Sequence, residues 1–298
     1  MQHMRMQQIQ QPNAALLDVR ARLRPMGIGD ILDETVDLYR RNFLLLIATT
    51  SVLLAPLLLA GALIGFGAAS AAQSTADPGT ASATSAALGL LATVLSIAGG
   101  VAALLVVAAV TIVASQRYLG QPITARGAYA SGLKRLGPLL LALLWAGIRL
   151  IPIVAISAVF IGVPFLIYYI LAWLLIPQVV VLEGCGAGGA SKRSRQLLDG
   201  YWWRTLGLYL VLSILLNILA AVPTLLITAV VGGIAGAATG SSTALLVVYT
   251  VAGVVVPVLL LPLALIATTL LFYDLKIRKE AFDLETMARR VGVPVFAR

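Results

Sequence analysis

Histidine is all but missing: the single one, His3, sits in a Gln-rich polar stretch. Catalysis that runs on histidines and a carboxylate-held metal therefore has no residues to draw on, and no other catalytic constellation stands out. One cysteine, Cys185, excludes an internal disulfide and reads as a small inert side chain on the reducing side of a membrane. Charge is scarce as well. Only 11% of the 298 residues are Asp, Glu, Lys or Arg, against about a quarter in a soluble domain, and the mean hydropathy is +0.99. The solvent for such a chain is a bilayer. The first 25 residues lack an apolar h-region, so no cleavable signal peptide is expected and the first membrane segment would serve as signal and anchor. Residues 1–27 read as a largely disordered tail, too polar to offset the entropy of ordering.

What charge there is leans one way: 21 Lys and Arg face 12 Asp and Glu, a net +9. The basic residues stand in short blocks beside apolar segments. That placement predicts membrane lipids with anionic headgroups as partners, and no nucleic acid. No cofactor and no metal is expected.

Six apolar segments follow, at residues 43–66, 88–113, 138–161, 165–182, 205–231 and 244–273. The first alone, at 1.5 Å per residue, is about 36 Å long, enough for a hydrocarbon core of roughly 30 Å. Gly61 and Gly65 in it form a GxxxG pair. Three amphipathic stretches precede three of these segments. In the first, Ile28, Ile31, Leu32, Thr35, Leu38 and Tyr39 share a helix face, with Asp30, Asp33, Glu34 and Asp37 early and Arg40 and Arg41 late. That order suits the helix dipole, and the four carboxylates read as a solvated face rather than a metal site. In the second, Ala125, Ala128, Tyr129, Gly132, Leu133 and Leu136 align. The third, 191–203, puts Leu197, Leu198 and Tyr201 toward lipid and Lys192, Arg195, Gln196 and Asp199 toward water, with Trp202 and Trp203 as interfacial anchors. Residues 68–86 read as a flexible loop, 162–164 as a tight hairpin turn, 232–243 as a short neutral loop, and 274–298 as a cytoplasmic helical tail.

Basic residues number six before the first crossing, four between the second and third, four between the fourth and fifth, and six after the last, which is twenty of the 21. All fall on one side of a six-crossing layout, so both termini are predicted to be cytoplasmic. The expected fold is all-α and integral to the membrane: six transmembrane helices as three hairpins, each preceded by an amphipathic interfacial helix. The membrane domain runs over 28–273. Each unit carries a basic residue before its hairpin (Arg41, Arg135, Arg204) and a proline in its first membrane helix (Pro56, Pro152, Pro223), a pattern consistent with a threefold internal repeat.

Three patches carry a family resemblance: RPMGIGDILDETVDLYRRNF before the first crossing, PQVVVLEGCGAGGASKRSRQLLDGYWWRTLG after the fourth, and LLFYDLKIRKEAFDLE after the sixth. Together they resemble the bacterial glycerophosphoryl diester phosphodiesterase membrane domain family. The resemblance implies a bacterial inner-membrane protein that stands alone without the catalytic barrel, hence not an enzyme. It departs from the family pattern in having Gly188, Gly189, Ala190 and Ser191 before Lys192. Gly184, Gly186 and Gly189 also spell GxGxxG, but they follow a membrane helix, so a joint that redirects the chain is expected there and not a dinucleotide loop.

Two candidate sites remain. Arg149 lies about 17 Å past Pro138, near the bilayer middle, where an arginine costs at least about 2.5 kcal/mol. Asn217, at matching depth, Tyr168, Tyr169 and the Ile148 carbonyl freed by Pro152 are its expected partners. The second is a cytoplasmic interface of Glu183, Lys192, Arg193, Arg195, Trp202, Trp203 and Arg204, with Glu183 expected to pair with Arg193 or Arg195. The function expected from these features is a non-enzymatic membrane protein that organises lipids, a protein partner or further copies of itself at the cytoplasmic face. The alternative is a small transporter or lipid-handling protein with an anion site at Arg149.

Overall fold

The structure, a computed structural model, describes residues 25–52, 60–61, 78–157, 162–234, 237 and 242–290. Among the described residues there is no strand. The helices are α1 (Ile28–Arg41), α2 (Phe43–Val52), α3 (Pro78–Tyr118), α4 (Ala125–Ser157), α5 (Val163–Trp173), α6 (Ile176–Gln178), α7 (Ala187–Leu198), α8 (Trp202–Ile227) and α9 (Ser242–Arg290). Among the described residues, five stretches are long and apolar enough to cross a membrane: Gly89–Tyr118, Ala125–Ile156, Val163–Glu183, Trp202–Gly232 and Val258–Glu280. The apolar α2 begins the expected first crossing, whose remainder, with Pro56 and Gly65, lies outside the described residues apart from 60–61.

Several boundaries differ from expectation, each for a physical reason. Residues 78–86 are helical rather than loop, because the Ala-rich sequence lets α3 extend outward from its apolar part. The second amphipathic stretch and the third crossing are one helix, α4, which runs through both Pro138 and Pro152. The expected fourth crossing, now Val163–Glu183, is broken. Pro177 has no N–H to offer the Trp173 carbonyl and crowds it, so the helix stops at Trp173 and restarts at Ile176 before a π-helical turn, Val179–Glu183. The buried Ser194 hydroxyl then donates to the stranded Ala172 carbonyl at 2.7 Å. The expected last crossing continues without interruption into the expected tail, as the 49-residue α9.

The amphipathic helices face protein. Ile31, Thr35 and Leu38 of α1 are buried, and this helix packs on α9. In α7, Ala190, Ser194, Leu197 and Leu198 are buried against α4, α5 and α9, so the two leucines turn into the bundle and not to lipid. Trp202 and Trp203 belong to the first turn of α8 instead of closing α7. Helix α9 touches α1, α3, α7 and α8, and its residues Ile266, Ala267, Leu270, Leu271, Phe272 and Leu275 are almost wholly buried.

A small-residue seam joins α3 to α4. A Cβ placed on Gly132 would meet Ala108 Cβ and the Ala109 backbone nitrogen at 3.4 Å each, and Ala128 one turn earlier is fully buried. Of the GxxxG pair, Gly65 lies outside the described residues, and a Cβ added at Gly61 would meet no described atom within 4 Å.

A candidate functional site at the polar end of the bundle

Two ion networks gather segments that are far apart in sequence. The first centres on Asp274, which is fully buried in α9. Its carboxylate accepts from the Met26 backbone N–H at 2.8 Å, from Arg278 Nε at 3.1 Å and from Arg204 Nη1. Both guanidiniums also donate to the Met26 carbonyl, Arg278 at 2.9 Å. Met26 is thus held at both of its backbone groups, and its side chain is buried, so order reaches back into the stretch expected to be a loose tail. A buried carboxylate needs this density of donors, because an unpaired charge is costly to take out of water.

The second network centres on Glu183, where the π-turn ends. Arg193 of α7 grips it with two hydrogen bonds, Nε to Oε2 at 2.9 Å and Nη2 to Oε1 at 3.1 Å, the planar fork matching the carboxylate. Lys276 of α9 adds a third at 2.8 Å, and Arg193 reaches Glu280 at 2.8 Å. The hydrogen bond to Glu183 holds the Arg193 guanidinium protonated above its ordinary range, outweighing the burial that works the other way. The expected pairing of Glu183 with Arg193 is present, whereas Arg195 turns elsewhere, over the Tyr169 ring at 5.6 Å.

The glycine joint sits between these elements. Gly184 ends the π-turn in the left-handed conformation, φ +73°, and Gly186 is extended before α7. The Arg135 guanidinium of α4 lies over Gly184, so close that a Cβ there would be 2.7 Å from Nη1. Gly184→Ala should therefore cost about 1–2 kcal/mol, most of it from the left-handed backbone, since the arginine tip can move. Gly186→Ala, with open space around it, should leave the melting temperature unchanged. Equal melting of both variants would show that the joint tolerates any residue.

The midplane constellation does not assemble. Arg149 is exposed on α4 and stacks on Trp145, one turn back, at 4.6 Å from the ring centroid. Asn217 Nδ2 donates to the Ser213 carbonyl of its own helix at 2.7 Å. Tyr168 and Tyr169 pack edge to face on each other, and Tyr169 also meets Trp173. Among the described residues no hydrogen bond or ring contact joins Arg149 to Asn217, Tyr168 or Tyr169. Of the expected interface, Glu183, Arg193 and Arg204 enter the networks, Lys192 is exposed, and Trp203 is 78% exposed. Asp274 and Lys276 were read only as tail residues. A signal existed in the two acids, Asp274 and Glu280, spaced among the bases of YDLKIRKE.

The fold defines an all-α, multi-pass membrane protein, and the two networks bring together charged side chains from segments far apart in sequence. No family model, no curated protein and no solved structure matches the chain.

Proposed function

We propose that the chain is a six-crossing, non-catalytic membrane protein that presents a rigid cytoplasmic face to lipids or protein partners. One observation carries this reading: segments from all four basic regions meet at one end. Met26, Arg135 with Gly184, Arg193 with Glu183, Arg204, Asp274 and Lys276 tie that end together through buried or half-buried contacts. With these segments cytoplasmic, both termini would lie inside the cell, in three hairpins counted from the partly described first crossing. The three patches of the family resemblance supply the network residues, which supports reading them as a structural signature and not as remnants of catalysis.

The transporter alternative keeps two features, Arg149 and the fourth crossing broken at Trp173–Ile176. Proteoliposome flux separates the two readings. Across a panel of small anions, no flux above empty liposomes is expected, and Arg149→Leu should leave the protein folded and no less stable, because among the described residues Arg149 has only a local ring partner. Flux that Arg149→Leu abolishes would overturn the platform reading.

A further inference from the structure

Arg195 of α7 stands outside both networks. Arg195 has no carboxylate partner among the described residues, and its Nε is buried without a hydrogen bond. It lines a cleft of about 290 Å³ with Tyr168, Ala172, Gln196, Gly200 and Trp202. The Trp202 indole nitrogen is likewise buried and unpartnered. Gly200 and Trp202 also mark the start of the 26-residue α8, which no side chain caps, so the free backbone N–H groups of its first turn stand at the same cleft. Two donor sets line the same cleft, the Arg195 guanidinium over the Tyr169 ring and a helix N-terminus, with the Trp202 indole forming part of the wall. Each favours an anion with several acceptor oxygens, and a helix start favours phosphate in particular.

The cleft does not end at Trp202. That ring is shared with an apolar groove of about 440 Å³ between α5 and α8, lined by Val163, Pro164, Ile167, Leu206 and Leu210 among others. Ile167 and Leu210 are 40% and 49% exposed, and both helices belong to membrane-crossing stretches, so the groove opens where acyl chains lie. The one carboxylate at the cleft, Asp199, is 86% exposed with Lys279 at 4.0 Å, so its charge is screened at the rim and the floor stays cationic.

The geometry points to a glycerophospholipid site, with the lipid phosphate on the Arg195 guanidinium and the α8 N-terminus beside Trp202, and one acyl chain along the α5–α8 groove. This deepens the platform reading by naming its lipid and where that lipid sits. A soluble phosphate would leave the groove empty, and a diacylglycerol would leave the donors unpaired.

The test is native mass spectrometry of the detergent-purified full chain with phosphatidylglycerol, and separately with diacylglycerol and glycerol phosphate. Wild type should retain phosphatidylglycerol at least about tenfold more than diacylglycerol, since one charge-assisted pair contributes roughly that factor. Arg195→Gln should remove most of the difference, and Arg149→Leu should not. Ile167→Trp fills the groove from an exposed position and should reduce retention while leaving the core intact, which keeps the test decisive even where Arg195→Gln folds poorly. Equal retention by Ile167→Trp, equal retention of diacylglycerol, or displacement of the lipid by equimolar glycerol phosphate would each overturn the site. Anion flux would sink the platform reading without touching this one, and Arg195-independent retention would do the reverse.

Discussion

Asp274→Ala should lower stability by about 3–5 kcal/mol, the range for removing one partner from a buried ion group. The carboxylate is fully buried, while Arg204 and Arg278 keep 20% and 25% of their side-chain surface. Both guanidiniums converge on the Met26 carbonyl, so without Asp274 two like charges share one neutral acceptor. The Met26 N–H also loses its acceptor in a place with little water. Arg204→Ala should be milder, because Arg278 still neutralises the acid. Asp274→Asn should fall between them, keeping the shape and an acceptor for Met26 but not the charge. Two readouts check this: the melting temperature in detergent, and hydrogen exchange of the peptide starting at Pro25, which should become fast in Asp274→Ala. An unchanged melt with a still-protected peptide would mean that the network is decoration on a fold held elsewhere.

The second large effect is expected at Gly132. Leucine there would need to fit against the Ala109 backbone nitrogen and Ala108 Cβ, each already 3.4 Å from a first added carbon. Backbone cannot rotate away as a side-chain tip can, so α3 and α4 must separate along their seam. The cost should reach the upper end of the about 1–3 kcal/mol usual for overpacking. Gly132→Ala provides the contrast. Its single methyl sits at close but tolerable distance and gains about 0.5–1 kcal/mol of helix propensity, so it should be neutral or slightly stabilising. The comparison is made by denaturant titration of the two variants in the same detergent. Equal loss from both would place the constraint in the backbone of α4, and no loss from leucine would show that the seam has room.

The class of the protein was legible because scarce charge and long apolar runs are properties of composition, which needs no partner to read. Helix faces were legible too: Ile31, Thr35 and Leu38 form the stripe expected of α1. What covers a face was not, since periodicity records that Leu197 and Leu198 avoid water but not whether lipid or protein receives them. The burial of Asp274 was not legible for a related reason. Depth was judged from hydropathy, which assigns any carboxylate after an apolar run to the aqueous side, and its partners Arg204 and Met26 lie 70 and 248 residues away with no local period to betray them. Arg149 was sought a long-range partner when a local one existed, Trp145 four residues before it on the same helical face. Pro177 was the neglected local signal, sufficient by itself to forecast a break four residues upstream.

The placement of Asp274 also sets an order of events during synthesis. Arg204 leaves the ribosome 70 residues ahead of the acid that neutralises it. At typical elongation rates of about 5–20 residues per second, that is a wait of about 4–14 s. For that interval the nascent chain carries a guanidinium without its buried carboxylate and a Met26 N–H without its acceptor, and the earlier helices must hold their places without the clasp. Closure comes when the last helix enters, so the final apolar segment acts as the keystone of assembly, and a ribosome stalled before it would leave a chain inserted but open.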